Sequence, residues 1–475
     1  MSSRIRINDW VCLLAFMLAA CQPAAPAQTL TPQPTEPQAS PTPTPAFSTA
    51  PFSDSLLLAV MKNQGSGSEI YPVDPLTGRP LEGYAPIQAK NYAYAFSQDM
   101  GQLALITFAG DHAPFDSRLH LLSLNDWTDQ VFDLKFDGWV NAIRFSPNSE
   151  MLVIAYGDSG GRLMIFDAAS GTARAQAETE IMVRLMQFSK DGKSLMLYGP
   201  SQPRSTGVSP AAPKAILLAV RDLSVQWTSD LAGVRDGLFP KTDKVDDLHA
   251  PGQAWYFTPA IAFAPDRDAL YIVHADEDRF TSVDFSLRSV RTVDIRPRLT
   301  WFEQWLMLGA SVAHAKFMDG TDKQMVISPD GRRLYVVGID SASSQLQDGT
   351  WDMRRTPLGL QVIDAADGTE IGHYETDATN LAISPDGRKL YLRGWNEGAT
   401  TFGPWTEIFD TASGERTAAP PDLDLVPTQT MGGRPILVST RPISEVRFEL
   451  AALDPESLML LNKLYVSEYG SWLIP

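Results

Sequence analysis

Six histidines, two cysteines and a scatter of acids are the residues of this chain that could do chemistry, and their spacing limits what that chemistry is. His112, His120, His249, His274, His314 and His373 each stand alone in their segments. No His-Glu-x-x-His pair is present to hold a metal and supply a base. His249, His274 and His314 lie in neighbouring stretches and would meet only if the fold brought their loops to one rim. Asp243, Asp246 and Asp247 offer oxygen ligands of the kind calcium takes. They lack the one-three-five spacing and the glycine of a calcium loop, so a solvated surface run is the simpler reading. A Gly-x-Ser-x-Gly elbow, a phosphate loop and a Cys-x-x-Cys-His haem motif are all missing. The expectation is no catalytic residue, no cofactor and no metal.

The remaining chemistry is apolar. Trp301, Trp305, Leu308 and Val312 fall at i, i+4, i+7 and i+11, which predicts an inserted helix over about 299–317, with Phe302 and Leu306 beside the stripe. Pro297 precedes it and Gly309 weakens its middle. An apolar stripe on an insertion must be covered. Either it packs on the body of the fold, or Trp301, Phe302 and Trp305 dock a partner. Two further insertions, Pro200 to Pro213 and Gly233 to Tyr256, are the other places where a loop could carry function.

What positions these loops is a repeat. Phe96-Ser97-Gln98-Asp99, Phe145-Ser146-Pro147-Asn148, Phe188-Ser189-Lys190-Asp191, Phe263-Ala264-Pro265-Asp266, Ile327-Ser328-Pro329-Asp330 and Ile383-Ser384-Pro385-Asp386 each sit between two apolar runs. Proline presets φ and aspartate bonds back to nearby backbone, and a following glycine takes positive φ without strain. Each site therefore reads as a tight antiparallel turn. A second element follows, as in Leu163 to Gly171, Leu360 to Gly368 and Glu407 to Gly414: a strand, an aspartate-led turn closed by glycine, then another strand. Two hairpins make a four-stranded sheet that cannot bury both its faces alone, so neighbours must stack on it radially. The shortest interval, from Phe145 to Phe188, suits one blade of roughly 40–50 residues. The fold expected is an all-β propeller of seven or eight four-stranded antiparallel blades over residues 51–475, monomeric, with the one inserted helix. The tail from Tyr469 to Ile474 is placed to supply the strand that the first unit lacks and so close the ring. The wording of the repeat resembles the tryptophan-aspartate and Tyr-Val-Thr-Asn type β-propellers, lactonase-like members included, and the propeller of the periplasmic Tol-system protein. That resemblance implies the fold and leaves function open, since propellers host enzymes, sensors and scaffolds alike.

Residues 1–20 read as a targeting segment, with Arg4 and Arg6 ahead of an apolar stretch from Trp10 to Ala20 that is too short to span a bilayer. It ends Leu18-Ala19-Ala20-Cys21, which resembles the lipobox of bacterial lipoproteins. The resemblance implies a lipoprotein signal peptide, cleavage before Cys21 and diacylation of its thiol. The expected consequence is a lipid anchor on the extracytoplasmic side of a bacterial membrane, in the cell envelope. Cys12 would leave with the signal, so the mature domain would hold neither disulfide nor thiol nucleophile. Residues 21–50 continue as the lipidated cysteine and a Pro/Thr-rich linker with eight prolines and one charge, Glu36. Such a segment stays extended and holds a domain away from the membrane surface.

The formal net charge is −17, which disfavours nucleic acid as a partner, because phosphates need a basic footprint. The leading expectation is thus a binding or scaffold module for a protein or glycan of the envelope. The alternative is a lactonase-like or other hydrolase with its site in the channel. A quinoprotein reading fails on the Asp167, Asp364 and Asp410 turns, which lack the recurrent tryptophan of that family.

Overall fold

The computed structural model describes residues 55–62, 67–89, 91–108, 115–157, 161–201, 212–241, 254–297, 320–345, 351–397, 402–444, 447–466 and 470–474. The expected helix over 299–317 lies outside these residues. Among those described there is no helix, and the strands form eight sheets. Seven of them are four-stranded antiparallel blades. The sixth in chain order is an eight-stranded sheet built on the same antiparallel core, Gly320–Ile327, Arg333–Gln345, Leu360–Asp364 and Thr369–Tyr374.

Each sheet is buried on both faces, and the sequence shows why. In Leu334-Tyr335-Val336-Val337, Leu334 and Val336 pack on Ala262, Tyr271 and Phe280 of the fifth sheet. Tyr335 and Val337 point the other way, onto Leu381, Leu390 and Leu392 of the seventh. Strands covered on both sides read as continuous apolar runs rather than as alternation. Each such Leu or Val contributes about 1.5–3 kcal/mol by leaving water. The fifth sheet repeats the device, with Leu270 and Ile272 facing the fourth sheet and Tyr271 and Val273 facing the sixth.

The ring closes by joining its two termini. Gly470–Leu473 pairs antiparallel with Leu56–Lys62 as the innermost strand of the first sheet. Leu473 and Leu57 then pack on Leu103 and Leu105 of the second sheet, while Trp472 and Leu56 pack on Ile436 and Leu450 of the last. The C-terminal tail thus does what its sequence suggested.

Antiparallel strands reverse at every connection, so each unit sends its first and third turns to one end of the ring and its other connections to the opposite end. The first end is the turn face. Ser97, Ser189, Ser328 and Ser384 donate through Oγ to Asp99, Asp191, Asp330 and Asp386 at 2.6, 2.7, 2.5 and 2.6 Å. Each hydroxyl also accepts the amide five residues on, at 2.8–2.9 Å. Ser146 and Asn148 do the same with an amide in place of the carboxylate, at 2.7 Å. The next residue holds a left-handed backbone: Gly331 and Gly387 have φ 70 and 73, and Met100 and Ser149 adopt φ 57 and 59 where glycine would be unstrained. All the long insertions leave from the opposite end, the insertion face.

The sixth sheet is enlarged at that end. Gly237–Pro240 and Ala254–Thr258 form a hairpin whose second strand pairs in parallel with Gly320–Asp322. Gly320 is needed there, since a Cβ would lie 2.2 Å from the Tyr256 carbonyl oxygen. The strand Arg333–Gln345 also runs on past the ring and pairs with Trp351–Pro357 to make a projecting arm.

Candidate binding site at the insertion face

The mouth of the ring between the fourth and sixth sheets gathers charged and polar groups that are buried or partly buried. Arg184 precedes the first strand of the fourth sheet, Leu185–Phe188; Tyr198 ends the second, Ser194–Gly199; and Asp236 leads into the added hairpin. The Arg184 guanidinium donates through Nη1 to Asp236 Oδ1, and the Tyr198 hydroxyl donates to Asp236 Oδ2 at 2.9 Å. Asp236 and Tyr198 are buried. Burial raises the Asp236 carboxyl above its ordinary range, opposed by the Arg184 charge and by the hydrogen bonds from Tyr198 and Arg184. Burial also pushes the Tyr198 phenol far up, and the charge of Asp236 adds to that. For Arg184 burial works against the cation, but Asp236, then Tyr198, Tyr256 and Asp322, more than restore it.

A second carboxylate completes the cluster. Asp322 sits on the first strand of the sixth sheet, opposite Thr258 of the hairpin. Burial pushes it up to about 6, although Arg184 and a hydrogen bond from Gln324 Nε2 at 3.3 Å pull the other way. Tyr256, two residues before Thr258, is 49% exposed. A carboxyl raised toward neutral pH, acted on by a partly buried guanidinium and sharing its side of the sheet with an exposed phenol ring, is the kind of environment found at functional sites. It can bind a cation, or accept and return a proton.

The other face of the hairpin is aromatic. Phe239 and Phe257 meet edge to face at 5.7 Å, and the Arg235 guanidinium lies 5.5 Å from each ring. Arg235 also pairs with Asp276 at 3.2 Å. Lys323, next to Asp322 but pointing to the fifth sheet, donates to the His274 carbonyl at 2.7 Å.

Of the residues singled out from sequence, Cys21, Trp301, Phe302 and Trp305 lie outside the described residues, as do His112, His249, His314, Asp243, Asp246 and Asp247. The convergence of His249, His274 and His314 therefore has only His274 within view. His274 is fully buried and shares its Nε2 with the Thr281 hydroxyl at 2.8 Å, which in turn meets Thr292 at 2.8 Å. His120 is held by Asp129 at 2.9 Å and His373 by Glu370 at 3.2 Å. Among the described residues no group of three or more His, Cys, Asp or Glu is placed to hold a metal ion.

Arg184, Tyr198 and Asp322 were not marked by any sequence motif. Asp236 and Tyr256 fall inside the Gly233–Tyr256 insertion, which was marked for its length. The four exposed large aromatics among the described residues, Trp139, Tyr256, Trp395 and Tyr465, sit on connections or strand ends of the insertion face. On the turn face the corresponding exposed apolar residues are aliphatic, Leu76, Leu287 and Met459.

No family model and no curated protein matches the chain. Among solved structures it is similar to the β-propeller domain of the Trilobed protease from Pyrococcus furiosus, at 11% identity and a TM-score of 0.42, covering 79% of this chain and 96% of that one. A eukaryotic initiation factor is matched at 10% identity and a TM-score of 0.46, over 88% of this chain and 98% of that chain. A putative 6-phosphogluconolactonase from Bacteroides uniformis is matched at 12% identity and a TM-score of 0.39, over 77% and 95%.

Proposed function

We propose that the chain is a lipid-anchored, extracytoplasmic binding module whose insertion face engages a protein or glycan partner of a bacterial envelope. One observation supports this most: the turn-face aspartates Asp99, Asp167, Asp330, Asp386 and Asp410 accept hydroxyls and amides of their own turns, and the strand faces are used up between sheets. The insertion face keeps exposed aromatic rings and, among the described residues, a carboxylate without an ion-pair partner. Exposed aromatics beside planar polar groups are what binding surfaces enrich. The anchor follows from Leu18-Ala19-Ala20-Cys21 and the proline-rich spacer behind it.

Two measurements test this reading. Metabolic labelling with a fatty-acid analogue should mark the wild-type chain and fail with Cys21→Ser, which should also leave the detergent phase on cloud-point partition. Labelling or membrane retention that persists in Cys21→Ser would remove the anchor. Site-specific photo-crosslinkers at Trp139 and Trp395 in cells should capture a partner that crosslinkers at Leu76 and Leu287 do not; equal capture from both ends would remove the assignment of face.

A second reading, hydrolysis of a lactone or similar ester, has one observation in its favour. Asp322, near pH 6, is a proton acceptor matched to neutral conditions. Turnover of a lactone panel that disappears in Asp322→Asn would move the function to an enzyme.

A further inference from the structure

Asp236 and Asp322 both feel the charge of Arg184 but are not equivalent. Asp236 takes the ion pair from Arg184 and a bond from Tyr198. Asp322 accepts a single bond, from the neutral Gln324 amide, and among the described residues no Lys, Arg or His nitrogen forms an ion pair with it. A half-buried carboxylate in this position is costly unless a cation shares it.

The neighbours specify what kind of cation. Tyr256 pairs across the backbone with Gly320, and Thr258 with Asp322. Residues two apart on a strand share a face, so the Tyr256 ring and the Asp322 carboxylate stand on the same side of the sheet. Arg184 and Asp322 feel each other's charges. An oxygen cage for a metal ion is lacking among the described residues. One carboxylate with one exposed ring instead suits a cation that brings an organic body of its own. The chain's net charge of −17 draws such a ligand in from a distance.

We propose that the mouth of the ring binds an ammonium or guanidinium group, with Asp322 as its counter-ion and Tyr256 as the ring on which it lies. This deepens the reading of the insertion face as the binding face and is independent of the lipid anchor. Arg184 and Gln324 act on Asp322 directly and Tyr256 shares its side of the sheet; Asp236 is bonded to Arg184 and Tyr198, and Lys323 turns away to the fifth sheet. Because burial holds the free carboxyl up near 6, binding selects its ionised form. Affinity therefore rises as pH climbs through 6, and below that value binding releases a proton.

The test is calorimetric titration of the full-length protein in detergent with agmatine, with its neutral counterpart ethylurea, and with the peptide Gly-Arg-Gly. Agmatine or the peptide should bind at pH 7.5, about tenfold more weakly at pH 5, and ethylurea not at all. Asp322→Asn should weaken binding at least about tenfold while keeping a cooperative thermal transition, since it removes a poorly solvated charge. Tyr256→Leu should weaken it by about two- to fivefold, the size of an exposed cation–π contact. Binding of agmatine supports a free amine as ligand, and binding of the peptide alone supports a basic side chain of a partner. Silence from both probes, or equal binding by Asp322→Asn, overturns the inference. Crosslinks at Trp139 and Trp395 without cation binding would do so while leaving the binding face intact. Cation binding without crosslinks would keep this site and remove the wider face.

Discussion

At the turn face Asp386 accepts the Ser384 hydroxyl and the Arg388 amide; at the insertion face Asp322 accepts one long bond from a glutamine. The same residue type therefore moves in opposite directions at the two ends of one ring. Burial would raise Asp386, but the Ser384 hydroxyl and the Arg388 amide bring it below its ordinary value. Asp167 is drawn down to about 2, first by Arg174 and then by the Ser170 amide and hydroxyl. Asp322 is pushed up to about 6 because burial outweighs what it receives. Donors supplied by the local backbone are cheap and repeat with the sequence. Donors that must come from another sheet are available only where the fold delivers them. Part of the negative charge of the surface is thus used by the turns themselves.

The largest expected effect breaks the insertion-face cluster directly. Arg184→Met leaves Asp236 buried without its cation and should cost about 3–5 kcal/mol of unfolding free energy in urea. Adding Asp236→Leu should recover most of that loss; an unchanged denaturation midpoint in the single variant would mean the pair contributes nothing.

Next comes the opposed pH dependence. A raised carboxyl contributes stability that is complete below its unfolded value near 4 and is lost as pH rises through about 6. The lowered turn aspartates contribute stability that is present above about 4 and is lost as pH falls toward 2. Stability should therefore peak between about pH 4 and 6. In Asp322→Asn the decline from pH 5 to 7, about 1 kcal/mol, should vanish while the acid limb persists. A wild-type profile flat from pH 5 to 7 would contradict the burial argument.

Smaller effects sharpen the turn side. Ser384→Ala removes the hydroxyl that bonds both Asp386 and the Lys389 amide, and should cost about 1–2 kcal/mol. Ala264 already occupies the equivalent place in the fifth sheet, where only the backbone pair with Ala269 remains, at 2.8 Å. Met100→Gly relieves a left-handed backbone at a non-glycine residue and should gain about 1 kcal/mol, read as a rise in Tm. A loss there would show that the Met100 side chain matters more than its backbone.

The chain wrote its turns and strands openly. The Ser-x-Asp boxes, the glycines after them and the strand pairs such as Leu334 to Val337 are local, because proline, aspartate and glycine act on the few residues around them and two-sided burial shows as an unbroken apolar run. The closing strand at Gly470–Leu473 could be inferred as well, since the first unit was one strand short. Local residues could not announce that Arg184, Tyr198, Asp236 and Asp322 would meet. They come from three separate stretches of the chain, and none stands in a motif. Only the radial stacking of the fourth, fifth and sixth sheets, with a hairpin added to the sixth, pairs a guanidinium with one carboxylate there and brings its charge to bear on a second. Charges at that distance act through space and through the water they exclude, and neither is encoded in the spacing of residues along the chain.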